Sequence, residues 1–167
     1  LVVAITTSKA ASNGILVRNR LALENSRAID VVIFDKTGTL TKGQQGVVTM
    51  AAVEGWEIDR ALALAAAVES DSEHIVAQGI RRAAADRKLV LPRATDFEAL
   101  KGRGIRAEVD GQPYYVGGPN LLNHLNLTLP DRVQTFTQEA NSKGQTVVYL
   151  IQQQPVAALA LADVIRS

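Results

Sequence analysis

The chain has 167 residues, 47% of them hydrophobic and 21% charged, with a formal net charge of +1. That balance excludes a disordered tail, because there is ample apolar surface to offset chain entropy, and it gives no support to nucleic acid as a partner. The absence of cysteine excludes a disulfide framework, a thiolate metal site and a cysteine nucleophile.

In chain order, "LVVAITTSKAASNG" has helix-compatible spacing and stops at Gly14, a good C-terminal cap. "ALENSRAI" reads as a second short helix, and "DVVIFD" as a continuous apolar strand of the kind buried on both faces of a parallel sheet. Beyond Gly43 the character changes. "GVVTMAAV" reads as a strand, "IDRALALAAAVES" and "HIVAQGIRRAAADRK" as amphipathic helices, and "ATDFEAL", "GIRAEVD" and "QPYYVG" as strands, with Asp110-Gly111 a hairpin turn between the last two. "PDRVQTFTQEANSKG" follows as a helix with Pro130 in its first turn and Gly144 past its end. "QTVVYLI" and "VAALALAD" are the last strands.

The fold class expected is therefore mixed, α/β together with α+β. Residues 46–157 form an antiparallel sheet with flanking helices, inserted between residues 1–45 and 158–167 of a partial Rossmann-like domain. The terminal "ADVIRS" is assigned to neither hairpin. No apolar run is long enough to cross a bilayer, and the start does not read as a signal peptide. Both ends are expected to be cut from a longer chain.

The chemistry concentrates where the strand stops at Asp35. A parallel strand ending there sets the carboxylate at the carboxyl edge of a sheet, the usual crevice for ligands in open α/β folds. Lys36, Thr37, Gly38, Thr39 and Thr41 add a cation, hydroxyls and close backbone approach around one point. Such a group suits a phosphoryl transfer in which a carboxylate attacks phosphorus while Mg²⁺ and a lysine neutralise the incoming charge. A capping aspartate in a Thr-Gly turn is the plainer alternative.

"DKTGTLT" resembles the phosphorylation signature of the P-type ATPases, ion pumps whose phosphorylation domain is a Rossmann-like member of the haloacid dehalogenase superfamily. The resemblance implies that Asp35 takes the γ-phosphate of ATP, that Asp35 and Thr37 hold Mg²⁺, Thr37 through its backbone carbonyl, and that Lys36 and Thr39 lie near the phosphate. Related phosphatases carry a second aspartate where Thr37 stands, as general acid and base for hydrolysis. A threonine cannot do that work, so a lasting phosphoenzyme is expected.

In "VESDSEHIVAQGI" one helix ends and another begins. Asp71 or Ser72 could cap the second helix, with Glu73 in its first turn, which makes Glu73 and His74 readable as an ordinary solvated helix start. Further on, "LKGRGIRAEV" sets Gly102 and Gly104 at a strand junction where a flat ligand could approach the backbone. It lacks the third glycine and the strand-to-helix context of a dinucleotide fingerprint.

Together with "DKTGTLT" these pieces resemble the nucleotide-binding domain of heavy-metal transporting P-type ATPases, with their Ser-Glu-His-Pro, upstream glutamate, G-x-G and Val-Gly-Asn. Glu69, Glu73, His74, Gly102, Gly104 and Gly117 fall on those motifs. The resemblance implies adenine recognition by Glu69 and His74, and backbone accommodation of ATP by Gly102, Gly104 and Ile105. Ile75 stands in place of the proline and Gly118 in place of the asparagine.

The Thr-Gly-Glu, Thr-Gly-Asp and Gly-Asp-Gly motifs of a complete pump do not occur, nor does a Cys-Pro-x membrane site. The expectation is thus a soluble ATP-binding and phosphorylation fragment, on the cytoplasmic side of a cell-membrane pump. Its implied partners are ATP, the actuator and membrane domains, and an exported heavy-metal ion, with no nucleic acid. "TKGQQGV" suggests copper or silver first, with zinc, cadmium, lead and cobalt open. A phosphatase with an inserted cap and a non-enzymatic nucleotide-sensing module are the alternatives. Trp56, Tyr114, Tyr115 and His124 read as packing, edge or surface residues.

Overall fold

The computed structural model describes residues 2–33 and 41–165, and the chain divides into two units, Leu1–Asp35 and Lys36–Ser167. In the first, α1 (Val2–Ser12) ends where the sequence expects it, with Gly14 at φ +76°. The Ile15 amide folds back onto the Ala10 carbonyl at 2.9 Å, which satisfies one of the orphan acceptors of the last turn. α2 (Arg20–Asn25) is started by Asn19, whose Oδ1 accepts from the Leu21 and Ala22 amides at 3.0 and 3.3 Å, and a short 3-10 turn (Ser26–Ala28) follows.

The strand expected over 30–35 is not found in its described part. Residues 30–33 pair with no strand, and the Val31, Val32 and Ile33 side chains stand exposed. The reason is that a strand apolar on both faces exists only by pairing with neighbours, and among the described residues none is available to it.

The second unit is built on a six-stranded sheet of order β1-β6-β5-β4-β3-β2, antiparallel throughout. In chain order its elements are β1 (Thr41–Ala52), α3 (Ile58–Val68), α4 (Ile75–Asp86), β2 (Ala94–Leu100), β3 (Gly104–Val109), β4 (Gln112–Gly117), α5 (Pro119–Leu125), α6 (Asp131–Ser142), β5 (Thr146–Ile151) and β6 (Pro155–Ile165). Both sheet faces are covered, so β5 and β6 are apolar without interruption over 147–151 and 155–162, and the twofold alternation decides which core each side chain enters. Val148, Leu150, Leu159 and Leu161 join Leu62, Val68 and Ile80 of α3 and α4 on one face. Val147, Tyr149, Ile151, Ala158 and Ala160 join Leu121 of α5 and Val133 of α6 on the other.

Two sequence expectations change here. The sheet runs past the boundaries drawn at 46 and 157, because β1 and β6 stay paired out to Thr41 and Ile165, through register shifts between Thr41 and Gln45 and between Val47 and Thr49. Residues 162–165 of "ADVIRS" therefore continue β6, and within this stretch Gln45 Nε2 donates to Asp163 Oδ1 at 2.7 Å. The short helix α5 was not expected at all. Its signals were present in Pro119 at the first turn and in Asn126 at the left-handed cap, φ +53°. The Asp110-Gly111 turn is as expected, both residues having positive φ.

Candidate functional site

Asp35, Lys36, Thr37 and Thr39, and with them the Mg²⁺ assignment to Asp35 and Thr37, lie outside the described residues. Among the described residues no group of three or more His, Asp or Glu side chains could hold a metal ion. The nucleotide positions are all described, and they fall on two elements of the second unit.

The first is the α3–α4 junction. Glu69 is the C-cap residue of α3 and is only 6% exposed, a rare setting for a carboxyl group. Burial pushes its pKa up, while a hydrogen bond with the Ser72 side chain and the Arg81 guanidinium pull it down. Arg81 Nη1 donates to the Glu69 carbonyl and, at 2.8 Å, to the Ser72 carbonyl.

His74 is itself the N-cap of α4, in place of the expected Asp71 or Ser72. Its Nδ1 accepts from the Val76 amide at 3.4 Å, which commits that nitrogen and leaves Nε2. Ser72 instead uses Oγ to accept from the His74 amide, also at 3.4 Å. Glu73 lies just outside the helix with an exposed side chain, and its carbonyl accepts from Gln78 Nε2 at 3.0 Å. The α4 start thus lies later than the sequence suggests, because the imidazole does the capping.

The second element is the β2–β3 turn with the end of β4. Gly104 and Gly117 are cross-strand partners. A Cβ on Gly104, at φ +154°, would come within 2.8 Å of the Gly117 Cα and closer still to the Val116 carbonyl oxygen. One on Gly117 would come within 2.7 Å of Leu121 Cδ2 and closer still to the Arg103 carbonyl oxygen. These two glycines are therefore required by the close approach of β3, β4 and α5, whatever else they do. Gly102 differs: its φ is +71°, yet a Cβ there would meet nothing within 4 Å.

Ile105 packs against the core cluster that also contains Val68 and Val116. One apolar cluster thus joins the residues next to Glu69, Gly104 and Gly117. By register, Gly104 and Gly117 are level with Tyr149 of β5, Ala158 of β6 and Ala51 of β1.

Chemically, a buried carboxyl, an imidazole with one nitrogen left over and a half-buried isoleucine can meet a flat heteroaromatic ring bearing donor and acceptor edges. The chemistry of these groups, acceptor and donor edges beside an apolar side chain, is of the kind an adenine could use. Sequence reasoning missed Arg81. It also missed an open cavity of about 350 Å³ beside Gly102, lined by Lys101, Arg103, Asn120, Asn123 and His124. Trp56 packs partly against the core with Arg60 5.1 Å above its ring, as a packing residue would.

A family described as haloacid dehalogenase-like hydrolase matches residues 29–167. Over 163 residues the chain is 42% identical to a probable copper-exporting P-type ATPase V of Mycobacterium tuberculosis, a match covering 97% of this chain and 21% of that protein. It is 38% identical over 167 residues to copper-exporting P-type ATPase B of Archaeoglobus fulgidus, covering 99% of this chain and 24% of that protein. Among solved structures, a zinc-transporting PIB-type ATPase in the E2.Pi state matches with a TM-score of 0.83 and 35% identity, over 99% of this chain and 27% of that one. The chain thus spans about a fifth to a quarter of the length of the relatives it matches.

Proposed function

We propose, from the premise that this chain belongs to the haloacid dehalogenase-like hydrolase family, that it is the ATP-binding and phosphate-accepting region of a P-type pump for a heavy-metal ion. Glu69 and His74 bind the adenine, and Gly102, Gly104, Ile105 and Gly117 form the backbone surface beside it. The pump's substrate is copper or silver in the first instance, since the two curated relatives are described as copper exporters. The catalytic chain is a cytoplasmic part of a membrane protein, working with actuator and membrane domains.

In the proposed reaction a carboxylate oxygen of Asp35 attacks the γ-phosphorus of ATP in line, the bond to the β–γ bridging oxygen breaks, and ADP leaves. Lys36 and Thr39 act on the transferred phosphoryl group, and Mg²⁺ on Asp35 and the Thr37 carbonyl would supply charge neutralisation when bound. Thr37, without a carboxylate, offers no general base, so the aspartyl phosphate outlives the step that forms it.

The observation that carries the binding half of this reading is Glu69. A glutamate taken out of water at a helix end, without a full ion pair, costs stability and is kept for what it does. The test is titration calorimetry with ATP on the 167-residue chain. His74→Gln should weaken binding about tenfold, a loss of about 1.4 kcal/mol, and leave the fold unchanged. Equal affinity of variant and parent would refute the adenine role. In the full-length protein Asp35→Asn should abolish acid-stable phosphoenzyme, because an amide is a poor nucleophile.

A further inference from the structure

We propose that Arg81 is the positioning residue of the adenine site, holding the 69–72 loop from α4 so that the Glu69 carboxyl and the His74 ring face the base together. This rests on the adenine reading given above and adds to it the element that fixes the site's shape.

The loop is short and poorly held by its own backbone. Its internal bonds are the Ser70 amide to the Ala67 carbonyl and the Ser72 amide to the Glu69 carbonyl, both at 3.2 Å. The Glu69 carbonyl belongs to the last turn of α3 and has no acceptor role left inside the helix, while the Ser72 carbonyl lies in the turn itself. Arg81 reaches both. A single nitrogen, Nη1, carries two N–H groups, and one goes to each carbonyl. The guanidinium is half-buried at the negative end of α3, where a cation is favoured by the helix dipole.

From Ser72 the chain of contacts continues to the ligand-facing residue. The Ser72 hydroxyl accepts from the His74 amide, and the imidazole caps α4 through Nδ1. Moving the Ser72 carbonyl therefore moves the residue that sets the imidazole. Arg81 stands seven positions after His74 on the same helix, close to two full turns, so it looks back along the face from which His74 projects. Ile75, at the first position of α4, has no ring to fix its φ and is 48% exposed. The covalent restraint a proline would give is absent, and the guanidinium clamp supplies a restraint in its place.

The test compares ATP and GTP binding by titration calorimetry for the parent 167-residue chain, Arg81→Gln and Arg81→Lys. Arg81→Gln should raise the Kd for ATP about tenfold at unchanged binding stoichiometry, while GTP, which does not use the Glu69 and His74 pair, weakens less than twofold. Arg81→Lys, which keeps a cation and its donors, should recover most of the loss. An ATP affinity unchanged in Arg81→Gln overturns the proposal. So does equal weakening of ATP and GTP, or a drop in stoichiometry at constant Kd, because a residue that merely staples the fold would give those results. If Arg81→Gln does not fold, Arg81→Lys decides: an intermediate loss confined to ATP supports the proposal and an equal loss for both nucleotides overturns it. If instead the parent prefers ATP no more than GTP, the adenine reading itself has failed and this inference with it.

Discussion

Gly102 and Gly104 look equivalent in sequence, and the structure predicts that replacing each by alanine has very different consequences. At Gly102 the only cost is the left-handed backbone, φ +71°, since a Cβ would meet nothing within 4 Å. That strain is worth about 1–2 kcal/mol for a residue with a side chain. At Gly104 the backbone lies at φ +154°, a region open almost only to glycine, for about 1–3 kcal/mol. In addition the Cβ would come within 2.8 Å of the Gly117 Cα and within 3.0 Å of the Val116 carbonyl carbon, contacts that only a separation of β3 from β4 can relieve. Overpacking of this kind costs about 1–3 kcal/mol more. Gly104→Ala should therefore lose about 2–6 kcal/mol, against about 1–2 kcal/mol for Gly102→Ala. Urea unfolding followed through Trp56, the chain's single tryptophan, reads the second unit directly, because its ring packs against that unit's core. Equal midpoint shifts for the two variants would refute the reasoning, and would mean that β3 and β4 can part without penalty. A practical consequence is that Gly102→Ala is the informative substitution for ligand approach, since a loss of ATP binding in Gly104→Ala would be confounded with unfolding.

Other consequences are as direct. Glu69 is protonated more readily in the folded chain than in the unfolded one, so its contribution to stability is present below its ordinary value of 4.5 and is lost as pH rises through the raised value. Glu69→Gln should accordingly gain stability relative to the parent as pH rises from about 4 to 8, measured as urea midpoints in the absence of nucleotide; a flat or falling difference would contradict the burial argument. Leu62→Ala, at a fully buried position of α3, should cost about 2–5 kcal/mol in the same assay. Arg60→Ala should shift the Trp56 emission and cost no more than about 1 kcal/mol, since the cation lies over the ring at an exposed site.

The strands from 94 to 117 were legible to within one residue, because each is bounded by its own turn chemistry: the glycines at 102 and 104, and the Asp110-Gly111 pair with positive φ. The limits of the sheet were not. Where β6 ends depends on its pairing with β1, more than 100 positions earlier, as in the Gln45 and Asp163 bond at a separation of 118. No local pattern in "ADVIRS" encodes that partner. The strand expected at 30–35 is not found in its described part, 30–33, for the opposite reason, its apolar run being genuine and its pairing partners not among the described residues. At the site, Glu69 and His74 could be singled out by the resemblance of their motif and its order along the chain, since the local pattern alone reads as an ordinary helix start. Arg81 could not, since nothing in "GIRRAAADRK" says that the first arginine turns inward to a carbonyl pair while Arg82 bonds Gln44 Oε1 at 3.0 Å on the exposed side.

What unites the junction is that its cost and its use come from the same atoms. Burying Glu69 raises its pKa because water no longer solvates the charge, and Ser72 and Arg81 offset only part of that loss. A base that presents N–H donors to the carboxyl would supply what the ligand-free junction lacks. Part of the binding free energy then comes from relieving a deficit already present in the fold, which makes the site selective: a ring presenting acceptors to the carboxyl would leave it worse off than water does. By linkage, nucleotide at a hundredfold excess over its Kd stabilises the folded unit by about 2.7 kcal/mol. Glu69→Gln, already relieved of the buried charge, should be the more stable chain without ATP and gain less from it. The ordering of parent and variant therefore narrows or reverses when ATP is added, as it must if the carboxyl is retained for the ligand and not for the fold.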